Sequence, residues 1–150
     1  MFKTILVPVS LSGDPVEAER AIKTAVELAS AQEGASLRVI TVLPGFGSPW
    51  VAGYFPKQDM EKIRKDLYDE LRALVKPLVP DDMLVKLKAL DGTPYKRILE
   101  EAERVKADLI VINSHSKKVM ERLFLGSVAA RVVERATCSV FVVRPSAQDH

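Results

Sequence analysis

The residues best suited to chemistry lie together in one stretch of the chain. After the apolar run Ile110-Val111-Ile112 come Asn113-Ser114-His115-Ser116-Lys117-Lys118, and after the nine residues from Lys117 to Leu125, Gly126-Ser127 opens a helical stripe. Small side chains at 113, 114 and 116 let backbone amides come close to a ligand, and asparagine tolerates left-handed backbone better than most residues. Gly126 leaves room for a phosphate. The free amides of a helix start at Ser127 and Val128 would turn the positive end of the dipole toward it. The Ser127 hydroxyl and the charges of Lys117, Lys118 and Arg122 add to the same loop. Together these residues could cradle a phosphate. Spacing alone leaves a second reading open, in which Gly126-Ser127 is only an N-cap and Lys117-Lys118 a solvated surface pair.

Other chemistries find less support. A dinucleotide fingerprint needs Gly-x-Gly-x-x-Gly after the first strand, and Pro8–Asp14 offers only Gly13. No Walker A loop is present. Ser10-Leu11-Ser12-Gly13-Asp14 bears a faint likeness to the loop of ATP pyrophosphatases but lacks its paired glycines, and Ser10 leaves no acidic pocket for a receiver domain. His115 and His150 are the only histidines, with no cysteine or carboxylate cluster beside them, so no zinc site is expected. No Ser–His–Asp set can be assembled and no general base stands out; His115 reads as a loop residue near a ligand. An enzyme is therefore not expected from these residues.

Such a loop must be positioned by a sheet. Five apolar runs read as strands: Ile5–Val9, Leu37–Leu43, Leu84–Leu90, Leu109–Ile112 and Val140–Val143. The first and fourth are apolar throughout, which suits burial on both faces of a parallel sheet. The third alternates with Lys86 and Lys88, which suits a strand nearer an edge. Helical stripes lie between them: Ala18 to Ala29, Met60 to Leu78, Ile98 to Val105 and Ala129 to Ala136. Asp14-Pro15, Thr93-Pro94 and Gly126-Ser127 precede three of these as start signals. The alternation implies one α/β domain over 1–150, with 146–150 a loose tail and helices on both faces of a parallel sheet. Ligands of such sheets sit beyond the carboxyl ends of the strands. That points to 8–12, 41–44 and 113–127. The long segment 44–56 carries Phe46, Trp50, Tyr54 and Phe55, and reads either as a flap or docking surface, or as an irregular loop tucking its aromatics onto a helix.

Composition narrows the partners. Hydrophobic residues make up 47% and charged residues 28%, a globular balance, and the net charge of +2 gives no electrostatic case for nucleic acid. Few apolar residues follow Lys3 before Ser10, too few for a signal core or a membrane span. With Cys138 as the only cysteine, no internal disulfide can form, and a reducing cytoplasm is the expected location. At the head of an apolar run, Cys138 is expected to be buried and inert.

Val-Ile-Asn-Ser-His-Ser, nine residues and Gly126-Ser127 resemble the nucleotide motif of the universal stress protein family, a Gly-x-x-Gly followed nine residues later by Gly and Ser or Thr. Ile5-Leu6-Val7-Pro8-Val9 resembles the family's first strand, and Gly92-Thr93-Pro94 with Ile98 its Gly-x-Pro helix start. Arg122-Leu123-Phe124-Leu125-Gly126-Ser127 through Cys138-Ser139-Val140-Phe141-Val142-Val143 resembles its closing helix and strand. The resemblance spans nearly the whole chain. It implies a doubly wound, five-stranded α/β sheet, Rossmann-like and similar to the adenine nucleotide alpha hydrolases, in strand order 3-2-1-4-5.

By that resemblance Pro8, Ser10 and Val42 would frame adenine and ribose. Asn113, Ser114, His115, Ser116 and Lys117 would wrap ribose and phosphates, and Gly126, Ser127 and Val128 would hold the phosphate tail. The implied ligand is ATP, with Mg²⁺ use and binding of AMP or ADP left open. Two departures stand out. Asn113 and Ser116 replace the first two motif glycines, as in a family branch with small-Ser-His-polar in this loop. Ser10 stands where many members carry an aspartate, and brings no charge for Mg²⁺. The resemblance further implies a homodimer paired through the last strand, Cys138–Val143, acting in stress response through a protein partner such as a transporter. The alternatives are a dimeric adaptor without nucleotide and, behind it, an enzyme limited to slow ATP hydrolysis or self-phosphorylation at Ser114, Ser116 or Ser127.

Overall fold

The structure, a computed structural model, describes residues 2–44, 57–114 and 125–145. The chain alternates strand and helix: β1 (Thr4–Pro8), α1 (Pro15–Ser30), β2 (Ser36–Leu43), α2 (Lys57–Val75), a 3₁₀ turn (Lys76–Leu78), β3 (Leu84–Asp91), α3 (Pro94–Val105), β4 (Leu109–Asn113), α4 (Ser127–Arg135) and β5 (Ser139–Val143). All strand pairs are parallel, in the order β3-β2-β1-β4-β5. This is the expected topology, and each strand lies within a residue of its apolar run. The aromatic segment from 45 to 56 and the tail 146–150 lie outside the described residues.

Side-chain alternation along the strands builds two cores. Ile5, Val7, Leu37, Val39, Leu109 and Val111 face α1 and α2, where Ala18, Ala21, Ile22, Ala25, Leu71 and Val75 are buried. Leu6, Ile40, Ile110 and Ile112 face α3 and α4 and meet Ile98, Ala102, Ala129 and Val132. Helices thus cover both faces, which is why central β1 and β4 are apolar at every buried position. Edge strand β3 alternates, with Lys86 exposed and Lys88 half-buried.

The helix ends follow local chemistry. Asp14 caps α1, its Oδ1 accepting from the Val16 amide at 3.0 Å, with Pro15 in the first turn. Thr93 and Gly126 occupy the N-cap positions of α3 and α4 without a side-chain cap bond. Gly92, at φ +127, holds backbone that a side chain rarely adopts, and a Cβ there would lie 3.2 Å from Arg97 Cγ. The second apolar stripe reaches Leu78, but the α-helix stops at Val75. Pro77 has no N–H to continue the ladder and disfavours helical backbone at Lys76, so the last turn tightens to 3₁₀.

Two polar ties fasten the sheet. Glu101 is buried on α3, accepts from Arg104 Nε and Nη2 at 2.7 Å each, and receives Lys88 Nζ from β3 at 3.3 Å. The Arg104 hydrogen bonds hold its carboxyl below the usual range despite burial. At the amino end of β1, Asp108 Oδ2 accepts from the backbone amides of Lys3 and Thr4, both at 2.9 Å, while its own amide donates to the Thr4 carbonyl at 2.8 Å. The Thr4 and Lys3 bonds lower the Asp108 pKa.

A depressed carboxyl stabilises the fold above its unfolded pKa and stops doing so as pH falls through the folded value. Asp108→Ala should cost about 1 kcal/mol at neutral pH, since the group is exposed and its bonds are screened. Denaturant melts at stepped pH should show the wild-type advantage shrinking below about pH 4. A gap that is constant with pH would rule out the carboxylate as its source.

Candidate functional site

After β1 the chain fills the sheet outward through β2 and β3, then returns to β4 on the other side. The strand order therefore reverses between β1 and β4, where ligands of open α/β sheets bind. These two strands share a short register, Ile5 with Leu109 and Leu6 with Ile110, although β1 runs on to Pro8 and β4 to Asn113. Backbone direction accounts for the short pairing. The Lys3 carbonyl accepts from Ser36 and the Val9 amide donates to Ile40, so odd-numbered residues turn their polar groups toward β2. The Thr4 carbonyl accepts from Asp108, so even-numbered residues turn toward β4. The N–H that Pro8 lacks is thus the next donor on the β4 side, and the ladder stops there.

Around this end of the sheet stand the described candidates. Pro8 is buried at the end of β1, and Val42 is half-buried near the end of β2. Ser10 is exposed, its Oγ 3.1 Å from the Ser12 Oγ. Asn113 is half-buried at the end of β4, and Ser114 is 2% exposed. Gly126, Ser127 and Val128 form the start of α4, with Ser127 exposed. His115, Ser116 and Lys117 lie outside the described residues.

Ser114 joins the end of β4 to the end of β5 and the start of α4. Its amide donates to the Val143 carbonyl of β5 at 2.9 Å, and its carbonyl accepts from the Gly126 amide at 2.7 Å. The mouth of the loop between 114 and 126 is closed by that second bond, which sets the first turn of α4 beside the end of β4. Gly126 has φ −60 and ψ 160, open to any residue. Its lack of a side chain is a matter of space at the helix start and not of backbone strain.

Sequence reasoning placed Ser10 but missed Ser12, which meets it through the bend at 11–13. It also missed the Val143 carbonyl, a backbone group that no side-chain pattern reports. Among the described residues no group of three or more His, Cys, Asp or Glu could hold a metal ion. A shallow crevice lined by Leu43, Met60, Arg64, Leu67, Leu90 and Asp91 opens beyond β2 and β3, off the β1–β4 reversal. Cys138 is half-buried, and burial pushes its thiol up, in line with an inert side chain.

The family model of the universal stress protein family matches residues 1–144. The chain belongs to the universal stress protein family. A universal stress protein of Methanocaldococcus jannaschii is 32% identical over 145 residues, covering 96% of this chain and 83% of the relative. One from Thermus aquaticus is 36% identical over 152 residues, covering 96% of this chain and all of the relative. Among solved structures, a hypothetical protein whose biochemical function was assigned from its structure superposes with a TM-score of 0.79 at 23% identity, covering 97% of this chain and 98% of that one, and shows the shared fold. A universal stress protein in complex with cAMP superposes with a TM-score of 0.68 at 25% identity, covering 97% and 99%.

Because Gly126 occupies ordinary backbone, Gly126→Ala should fold normally and change stability by no more than about 1 kcal/mol. Circular dichroism and a urea melt measure this directly. A larger loss would mean that the glycine is required by the fold and not by a ligand.

Proposed function

We propose that this chain is a regulatory adenine-nucleotide-binding protein, with ATP as its ligand in the crevice beyond β1 and β4. The observation that carries the reading is the Ser114–Gly126 hydrogen bond, which sets the opening amides of α4 beside the end of β4 at the strand-order reversal. The residues fit such a ligand: a helix start with no side chain at its cap can take phosphate oxygens, and neutral hydroxyls at Ser10 and Ser12 can meet a ribose. His115, Ser116, Lys117 and Lys118 complete the loop in sequence. The relative solved with cAMP supports an adenine nucleotide in this fold. Ser10 supplies no charge for Mg²⁺, so any metal would be held mainly by the ATP phosphates and water. Binding changes which conformation is populated, and the reading assigns no catalytic residue.

The decisive measurement denatures freshly purified protein, identifies released nucleotide by chromatography, and titrates ATP calorimetrically with and without Mg²⁺. Stoichiometric adenine nucleotide, or ATP binding that Gly126→Glu abolishes, is the expected result. No nucleotide and no heat, in a protein shown to be folded, would leave the alternative of a dimeric adaptor that binds none.

The assembly proposed is a homodimer paired through β5. This edge strand presents Val140, Phe141 (43% exposed) and Val142, whereas the opposite edge carries Lys86 and Lys88. An apolar edge invites another strand and a lysine-bearing one discourages it. The dimer would work in the cytoplasm, in stress response, by presenting its surface to a protein partner; no helix among the described residues is long and apolar enough to cross a membrane. Val142→Glu should raise the dimer dissociation constant by about tenfold or more, read by sedimentation equilibrium. An unchanged constant would place the interface elsewhere.

A further inference from the structure

Tyr95 stands in the first turn of α3, partly buried against the core shared with α4. Its ring gathers three cations. The Arg131 guanidinium lies 5.0 Å from the ring centroid, that of Arg135 5.2 Å and the Lys96 ammonium 6.0 Å. Arg135 Nη1 also donates to the Tyr95 hydroxyl at 3.4 Å.

The fold does not account for these charges. On α3, Arg97 pairs with Glu100 at 2.8 Å and Arg104 with Glu101 at 2.7 Å. Among the described residues no carboxylate pairs with Lys96, Arg131 or Arg135. Lys96 sits at the amino end of α3, where the helix dipole disfavours a cation. Arg131 and Arg135 stand four residues apart on α4, an arrangement in which like charges repel. Arg135 alone, in the last turn of α4, stands where the dipole favours it. The Arg131 and Arg135 contacts with the ring offset these costs, so Tyr95 holds the cluster in place while its charge has no counter-ion among the described residues.

We propose that the α3–α4 seam is a docking surface for an acidic protein segment, with carboxylates taken by Arg131 and Arg135 and an apolar stem laid against Tyr95. An arginine held over a ring still presents in-plane donors whose fork matches a carboxylate. Tyrosine and arginine are the side chains that interfaces favour. The complementary charge must come from outside, because the local acids are already engaged or do not reach. Nucleic acid calls for a longer basic stripe than three cations, on a chain whose net charge is only +2. A lipid surface calls for apolar side chains beside the charges. The exposed one on α4, Val133, stands half a turn round the helix from both arginines.

The test uses a fluorescently labelled oligoglutamate peptide, with anisotropy followed as salt is raised. Arg131→Glu removes one fork and places a carboxylate four residues before Arg135, a spacing that stabilises a helix. This variant should bind the peptide about tenfold more weakly or worse. Its unfolding midpoint should stay within a few degrees of the wild type, the lost ring contact and the new Glu–Arg spacing acting in opposite directions. Lys65→Glu, the same charge change on the exposed face of α2, should leave peptide binding within about twofold. Gly126→Glu should also leave it intact, which separates this surface from the nucleotide cradle. Peptide binding unmoved by Arg131→Glu, or weakened equally by Lys65→Glu or Gly126→Glu, would overturn the proposal. So would tighter binding of duplex DNA or of anionic vesicles to the same arginines.

Discussion

The pairing of β1 with β4 governs this molecule, because it is fastened at one end and released at the other. At the amino end Asp108 accepts from the Lys3 and Thr4 amides and returns its own amide to the Thr4 carbonyl. At the carboxyl end Pro8 withholds the donor that would carry the ladder further. Between them lie Leu6 and Ile110, both fully buried, so the joint cannot slide without exposing the core on one face. A sheet built this way is rigid below and parted above. A ligand can therefore be met at the reversal by backbone groups without disturbing the packing that sets their positions.

The same logic separates the two edges. Edge strand β3 is tied inward through Lys88 to the buried Glu101 of α3, and it shows lysine to solvent. Edge strand β5 has no such charges, and its last residue lends a carbonyl to Ser114. One edge is thus closed by chemistry within the chain, while the other is continuous with the loop that leads to α4. Ser114 is buried, and its backbone serves both.

Much of the fold was legible because periodicity and burial obey local rules. Unbroken apolar runs at Ile5 and Leu109 mark central strands, lysines at 86 and 88 mark an edge, and Asp14-Pro15 marks a helix start. The site was legible in outline for the same reason, since Gly126-Ser127 after an apolar strand names both a helix start and the end of the sheet where it sits. What could not be read depends on pairs far apart in sequence. Asp108 reaches Lys3 across 105 residues, and Arg135 reaches Tyr95 across 40. The role of Pro8 depends on which neighbour its missing N–H would face, which register alone decides. The Ser12 hydroxyl meets Ser10 because the chain bends at 11–13, a conformation that the sequence pattern did not specify.

The distribution of charge extends this argument from folding to use. Four acids hold elements together: Asp14 on a cap, Asp108 on β1, Glu100 and Glu101 on arginines of α3. Each answers a donor that the fold brings to it. The cations around Tyr95 follow the opposite pattern, with one at the wrong end of α3 and two repelling along α4. Lys96 could be replaced by a neutral or acidic residue at little structural cost, because its side chain is exposed at the amino end of α3. Exposed cations without an acid beside them are common on a protein surface; three gathered on one aromatic ring are not, and that concentration sets the α3–α4 seam apart.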